Sequence, residues 1–322
     1  MGKDNTKLYI SMYHYVRDLK NSRYPRIKGM DVCEFREQLD FYKKNFNVVT
    51  MEQVLSCING DEDLPENALL LTFDDGYTDH YLTVFPILME YGFQGSFFIP
   101  GRTFTEHALL DVNKIHFILA CTEDDRILVD EIKTELESLR GDYNEELPPF
   151  DDLYEKYAVA SRFDTAETIF VKRSLQTGLP ERIRGIISGK LFKRHVGMPE
   201  DVFARELYMN TSQMSVMRKN GMFFGLHGYD HYWLGNLDRA DAERDIDRAL
   251  GVMAPFIDRD SWVMNYPYGS CNEDTIDIIR GKGCKLGLTT EVRAAEVVPE
   301  ERYRLPRFDC NDFPPRSDRY AS

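Results

Sequence analysis

The segment that most restricts the possible folds of this chain is residues 69–73, Leu-Leu-Leu-Thr-Phe, which stops at Asp74-Asp75-Gly76. A short apolar run that ends at a turn signal is typical of a strand buried on both faces of a parallel sheet. The two aspartates therefore lie at the carboxyl end of this strand. Neighbouring side chains on a regular strand point to opposite faces, so both can reach one site only if the strand breaks here. Gly76 gives the backbone the freedom for that break.

The adjacent carboxylates of Asp74 and Asp75 predict a positive charge nearby. Two carboxylates that converge on one point repel each other unless a cation offsets their charge, and a metal ion is the simplest candidate. The alternative is that Asp-Asp-Gly forms only a turn, since aspartate and glycine are common turn residues. A second group of polar residues, which comes much later in the chain, favours the metal site.

That second group follows another apolar run, residues 222–226, which ends in His227-Gly228-Tyr229-Asp230-His231. Two histidines four residues apart are expected on one face of a helical turn, within reach of a single ion. The pair alone is a weak signal, but the aspartates that end the earlier strand strengthen it. Two histidines and one aspartate leave a coordination position open, which is typical of a catalytic metal site rather than a structural one.

Strand and helix patterns alternate on both sides of a long polar segment, which predicts an α/β fold with a parallel sheet. Residues 103–210 lack strand patterns and are predicted to form a helical insertion. We expect residues 1–102 and 211–310 to form the sheet-containing domain and residues 311–322 to form a C-terminal tail. Within the insertion, amphipathic helices are predicted at residues 125–140, 149–161, 165–176 and 180–195.

Composition restricts the partners. The chain has 322 residues, 43% of them hydrophobic, and a net charge of -14. Such a charge argues against a protein that binds nucleic acid or anionic membranes, because both need basic surfaces. The polar first residues and the lack of a long apolar run predict a cytoplasmic protein without a transmembrane segment. The six cysteines show no C-x-x-C spacing and are predicted to be free, mostly buried thiols.

Three motifs, each after a predicted strand, resemble those of the NodB-type polysaccharide deacetylases of carbohydrate esterase family 4. They are residues 72–76 (Thr-Phe-Asp-Asp-Gly), His227-x-x-x-His231 and residues 266–269 (Tyr-Pro-Tyr-Gly). The resemblance covers about residues 8–101 and 221–309. It implies a distorted (β/α) barrel with its site at the carboxyl ends of the strands. It also implies roles for five residues: metal ligation by Asp75, His227 and His231, general-base action by Asp74, and an oxyanion-binding backbone N–H from Tyr268.

The chain departs from the family pattern at three places. Gly228 stands where the family usually has serine or threonine, and Asn265 stands where it usually has an arginine that tunes the catalytic aspartate. The late Leu-x-His that often supplies the general acid is missing. Tyr13-His14 and residues 305–307 (Leu-Pro-Arg) resemble one branch of the family. We therefore hypothesise that Arg307 restores the positive charge beside Asp74 and that His14 acts as the general acid.

The resemblance implies metal-dependent hydrolysis of an N-acyl amide on an amino sugar, with acetyl as the expected acyl group and formyl as the alternative. Zinc is the expected metal, although cobalt, nickel, manganese and iron suit the same ligands. We expect the substrate to be an N-acylated sugar or glycan precursor of a surface polysaccharide. Two other interpretations stay open: a non-catalytic carbohydrate-binding relative, and a metal hydrolase of a non-sugar amide.

Overall fold

The computed structural model describes residues 7–143, 147–161 and 164–321. The described residues form two compact units. The first comprises residues 7–18, 29–108 and 205–321 and contains the sheet, and the second comprises residues 19–28 and 109–204 and is helical. Residues 19–28 therefore belong to the helical unit, although they precede the predicted insertion by a long stretch of sequence.

The strands of the first unit are β1 (Lys7–Tyr13), β2 (Val16–Arg17), β3 (Met30–Asp31), β4 (Asn47–Val49), β5 (Ala68–Asp74), β6 (Ser96–Ile99), β7 (Phe223–Leu226), β8 (Val263–Asn265), β9 (Leu286–Leu288), β10 (Ala295–Glu296) and β11 (Phe308–Asp309). Most of them form one sheet with the order β10-β1-β5-β6-β7-β8-β9. In addition, β4 pairs with β5 and β11 pairs with β1, while β2 and β3 form a separate pair.

The large sheet is parallel except for the β1–β10 pair. Its two ends are brought together by residues 305–309. Leu305 bridges to Leu288 in β9, and Phe308 pairs with Ser11 in β1. The sheet is therefore curled into a distorted barrel, and the parallel strands end on the same rim. Within residues 302–309, the strand pairing consists of this bridge and β11.

Thirteen α-helices are present in the described residues: α1 (Val32–Asn45), α2 (Met51–Asn59), α3 (Phe85–Tyr91), α4 (Gly101–Thr105), α5 (Asp111–Cys121), α6 (Asp125–Tyr143), α7 (Phe150–Tyr157), α8 (Ala166–Arg173), α9 (Glu181–His195), α10 (Glu200–Leu207), α11 (Thr211–Lys219), α12 (Arg239–Met253) and α13 (Glu273–Gly281). The four helices predicted in residues 125–195 correspond to α6, α7, α8 and α9, whereas α5 and α10 of the same segment were not predicted. Helix α1 begins after Asp31, because Asp31 and Glu34 form a capping box that binds the first backbone N–H groups.

Strand β5 is buried along its whole length. Leu69, Leu71 and Phe73 pack into the larger hydrophobic cluster, while Ala68 and Leu70 point to the other face and pack into a second cluster. This burial on both faces explains why the strand reads as a continuous apolar run rather than an alternating one. The buried strand fixes the position of the carboxylates that follow it.

Residues 311–321 do not form a tail. Phe313 is fully buried and packs against Tyr42 and Tyr320, while Gln38 Nε2 donates to the carbonyl oxygens of Cys310 and Pro314. The prediction of a tail failed because these contacts are made with residues distant in sequence.

None of the helices in the described residues combines the length and the apolar composition that a membrane span needs. The six cysteines are free. Cys284 and Cys310 are buried, Cys33 is exposed and the others are partly buried, so the expectation of mostly buried thiols was only partly right.

Candidate active site and metal centre

Asp75, His227 and His231 meet at the rim where the parallel strands end. Asp75 follows β5, and His227 follows β7. The Nε2 atoms of His227 and His231 lie 3.4 and 3.2 Å from Asp75 Oδ1, and all three side chains are buried. One ligand atom from each residue lies within 4.8 Å of the other two. Two imidazole nitrogens and a carboxylate oxygen form a typical donor set for zinc and similar divalent cations.

The hydrogen bonds around these residues fit a bound cation. Asp75 Oδ2 accepts a hydrogen bond from the Tyr77 hydroxyl, whereas Oδ1 is buried and has no partner among the described residues. His227 Nδ1 lies 2.7 Å from the carbonyl oxygen of Asn265 and donates to it, which leaves the lone pair of Nε2 facing Asp75. Burial lowers the pKa of His231, which favours its neutral, coordinating form. A cation between these three side chains would satisfy the buried Asp75 Oδ1 and coordinate both imidazoles in their neutral form.

The two histidines do not converge through a helical turn, so that part of the prediction was wrong. Residues 227–231 form an irregular turn in which Gly228 and His231 have φ values of 68° and 61°. Asp75 has φ of 72°, and Gly76, which follows it, is also left-handed. A residue other than glycine in this left-handed conformation costs about 1–3 kcal/mol, and the conformation persists only where surrounding contacts hold it.

Asp74 lies beside the cation site in an ion pair with Arg307. Asp74 is buried, and Arg307 Nη1 and Nη2 donate to its two oxygens at 2.9 and 2.8 Å. Asn265 Nδ2 donates to Asp74 Oδ1 at 2.7 Å. Burial by itself raises the pKa of Asp74, but the charge and the hydrogen bonds of Arg307, together with further contributions from neighbouring side chains, outweigh burial and lower the pKa to about 2. The positive charge hypothesised from the sequence is therefore present, while the catalytic roles of the pair remain predictions.

His14 and Tyr268, the other two predicted catalytic residues, flank the same group. Tyr13 of β1 pairs with Phe73 of the parallel strand β5. His14 and Asp74 directly follow these two paired residues, and His14 lies just past the end of β1. The His14 carbonyl oxygen pairs with His80 Nε2 at 2.8 Å. Tyr268 has φ of 59°, and its ring lies edge-on to His231, with 4.8 Å between the ring centroids. The ring of Trp233 stacks on the Tyr268 ring, with 4.4 Å between the ring centroids.

Sequence reasoning missed three residues that support the site. Tyr77 binds Asp75, the main chain of Asn265 binds His227, and Asp245 binds the backbone between the two histidines. Tyr77 lies next to the Asp-Asp-Gly motif and could have been considered for that reason. The contact between Asn265 and His227 spans 38 residues, and those of Asp245 span 15 and 16, so they leave no local signal.

Known proteins share both the sequence pattern and the fold. The model of the polysaccharide deacetylase family matches residues 61–136 and 190–287, which is more than half of the chain. The chain belongs to the polysaccharide deacetylase family. The structure resembles the Streptococcus pyogenes deacetylase PplD in complex with acetate, with a TM-score of 0.58 and 16% identity over 97% of this chain and 96% of that one. It also resembles IcaB from Ammonifex degensii, with a TM-score of 0.54 and 18% identity over 98% and 100% of the two chains.

Sequence relatives match over shorter stretches. The Bacillus subtilis protein YxkH is 31% identical over 98 residues, which are 30% of this chain and 33% of that protein. The poly-beta-1,6-N-acetyl-D-glucosamine N-deacetylase of Escherichia coli (strain K12) is 37% identical over 67 residues, 20% of this chain and 10% of the enzyme. The matches thus span a third or less of these relatives. The predictions of the family and of its distorted barrel are confirmed.

Proposed function

We propose that this deacetylase family member is a metal-dependent hydrolase that removes an N-acyl group, with acetyl expected, from an amino sugar of a surface polysaccharide or its precursor. The observation that carries the proposal is the buried Asp75 Oδ1, which lacks a hydrogen-bond partner among the described residues and faces two imidazole nitrogens. The neighbouring ion pair of Asp74 and Arg307 supplies a carboxylate that is ionised at neutral pH.

Asp75, His227 and His231 would hold the cation, for which zinc is the leading candidate. When bound, a divalent cation would polarise the acyl carbonyl and acidify the attacking water. This donor set also accepts cobalt, nickel, manganese and iron, so the ligands alone do not select the metal.

Asp74 would accept the proton of the attacking water as general base. Arg307 would keep this carboxylate ionised and oriented, because two parallel hydrogen bonds fix its plane. The backbone N–H of Tyr268 would stabilise the tetrahedral oxyanion. A single such donor can contribute about a hundredfold or more to turnover. His14, at the end of the strand next to Asp74, would protonate the departing amine.

The comparisons support an N-acetylated glycan as substrate. The Escherichia coli relative is named for poly-beta-1,6-N-acetyl-D-glucosamine, and the PplD structure was determined with acetate. A cytoplasmic location and a precursor substrate remain predictions from the sequence.

The test is a survey of amine release by the purified chain from N-acetyl and N-formyl glucosamine oligosaccharides, with small cyclic amides as the non-sugar comparison. We expect amine release from the N-acetyl sugars, loss of that release on chelation, and recovery on addition of Zn²⁺ or Co²⁺. Asp74→Asn should abolish release but retain the metal, whereas His227→Ala should lose both. Asp274→Asn, a change at an exposed carboxylate, is the control.

Metal that binds without amine release from any sugar would instead support the non-catalytic carbohydrate-binding relative. Release from cyclic amides alone would support the non-sugar hydrolase. Full turnover by His14→Ala would remove His14 from the mechanism without affecting the other assignments.

A further inference from the structure

The turn between the two histidines is bound by the carboxylate of Asp245, a buried residue of α12. Asp245 Oδ2 accepts the backbone N–H of Tyr229, and Oδ1 accepts that of Asp230, both at 2.8 Å. The side chain is 3% exposed. A carboxylate that receives one backbone N–H on each oxygen has a fixed orientation, so it also fixes the two peptides that it binds.

Gly228 has the conformation and the space that this carboxylate requires. Its φ of 68° favours glycine, and a Cβ at this position would lie 2.9 Å from Asp245 Oδ2. The serine or threonine that the family usually carries here would therefore collide with the carboxylate. The departure from the family motif at Gly228 and the buried Asp245 are two parts of one arrangement.

The carbonyl side of the same turn is also bound. The backbone N–H groups of Gly101 and Arg102 donate to the carbonyl oxygens of Gly228 and Tyr229, both at 3.1 Å. The Asp230 carboxylate pairs with Arg102 and with Arg248 of α12. The peptides between the histidines are thus held from two sides. On the second side, the Asp245 carboxylate accepts the hydrogen bonds from the N–H groups of Tyr229 and Asp230.

We propose that Asp245 is a positioning residue for the cation site, because its carboxylate fixes the left-handed turn that brings His227 and His231 to the same point. This inference rests on the proposed metal site. Asp245 does not touch the cation position and acts only through the backbone of residues 229 and 230. Its loss should weaken metal binding more than it weakens the fold, because the turn can relax while the buried strands remain packed.

The test is the affinity of the metal-free full chain for Zn²⁺, measured by competition with a chromophoric chelator, for the wild type and Asp245→Asn. The amide keeps the shape of the side chain but replaces one acceptor oxygen by an NH₂ group that faces a backbone N–H. We expect the affinity to fall about tenfold to a hundredfold, as is usual for groups that orient metal ligands. The visible absorption of the Co²⁺ form should change as well, since it reports the ligand geometry.

The matched control is Asp247→Asn. This change removes the same charge from an exposed position on the same helix, where Asp247 pairs with Lys282. Its Zn²⁺ affinity should stay within about twofold of the wild type. Urea unfolding of both metal-free variants separates an effect on metal binding from an effect on the whole fold.

Gly228→Ser provides a second variant if Asp245→Asn does not fold. It restores the family residue, yet we expect it to weaken Zn²⁺ binding because its Cβ collides with Asp245 Oδ2. Wild-type affinity and Co²⁺ spectrum in Asp245→Asn, or wild-type affinity in Gly228→Ser, would overturn the inference while leaving the proposed function intact. A wild-type chain that binds no divalent cation would overturn both.

Discussion

Arg307 and Asp74 face each other through two parallel hydrogen bonds although 233 residues separate them in the sequence. The guanidinium is fully buried, and its remaining contacts hold it in place: Nε donates to the carbonyl oxygen of Thr289, and Nη1 also donates to Thr72 Oγ1. In the family pattern an arginine precedes the Pro-Tyr motif, where this chain has Asn265. Here Arg307, in the segment between β10 and β11, supplies the positive charge beside Asp74 instead.

Arg307→Lys should lower kcat by about tenfold or more, which corresponds to at least ~1.4 kcal/mol of transition-state stabilisation. Lysine keeps the charge but cannot form both parallel hydrogen bonds, so the orientation of Asp74 is lost. Steady-state kinetics on an N-acetyl oligosaccharide provide the measurement. The control is Arg304→Lys, at an arginine that pairs with exposed Glu273. Because lysine keeps the charge, unchanged kcat in Arg307→Lys would show that turnover does not need the two parallel hydrogen bonds.

Asn265→Ala should separate turnover from metal binding. The side chain donates to Asp74, whereas His227 is bound by the main-chain carbonyl oxygen, which the substitution keeps. We therefore expect kcat to fall by about tenfold or more, because a hydrogen bond to a charged group contributes about 1.5–3 kcal/mol. The Zn²⁺ affinity should stay within about twofold. Kinetics and chelator competition on the same preparation test this. A parallel loss of metal affinity would contradict the assignment of separate roles to the two groups of Asn265.

His80 should make the metal-free protein less stable in mild acid. Burial lowers the pKa of this histidine from 6.5 to about 4, so the unfolded chain binds the proton more readily than the folded one between these values. Its contribution is therefore favourable above about pH 6.5 and is lost as the pH falls, by about 2 kcal/mol at pH 5. Asp245 has the opposite effect on stability. Burial raises its pKa to about 6, so the folded chain binds this proton more readily than the unfolded one, and Asp245 stabilises the fold as the pH falls below about 6.

Because the two effects oppose each other, the pH dependence of wild-type stability does not isolate the contribution of His80. A comparison with His80→Gln isolates it. At pH 7.5 the variant should be less stable, since it loses the packing of the imidazole and its hydrogen bond to the His14 carbonyl oxygen. The difference in the free energy of unfolding between the wild type and His80→Gln should narrow by about 2 kcal/mol between pH 7.5 and pH 5. Urea unfolding with a chelator present gives both values, and a difference that is constant with pH would refute the buried neutral state.

Phe313→Ala should destabilise the first unit by about 3–5 kcal/mol, the usual cost of removing a buried aromatic ring. Phe313 is fully buried and packs against Tyr42, Phe308 and Tyr320. Urea unfolding at neutral pH measures the loss. Leu82→Ala, at a side chain that is 64% exposed, is the control and should change stability by less than about 0.5 kcal/mol. A loss below about 1 kcal/mol in Phe313→Ala would mean that residues 311–321 contribute little to the fold.

Local patterns predicted the parts of the site that come directly after buried strands. The apolar runs before Asp74 and before His227 indicated parallel strands, and parallel strands end on one rim, so the ligands could be expected to meet. The same reasoning could not give the conformation of the turn at residues 227–231. A spacing of four residues suggests a helix, but the hydrogen bonds from Gly101 and Arg102 and to Asp245 stabilise left-handed backbone there instead.

Residues that are close together in the chain were enough to predict the family, the alternation of strands and helices, and the candidate ligands. The remaining features depend on contacts that form only on folding. The tertiary structure revealed the acceptor role of Asp245, the main-chain partner of His227 at Asn265, and the packing of Phe313. It also gave the bidentate geometry of Arg307 with Asp74, for which the sequence suggested only a nearby charge. These contacts join groups that are distant in sequence, and their energies depend on burial and direction, which exist only once the chain has folded.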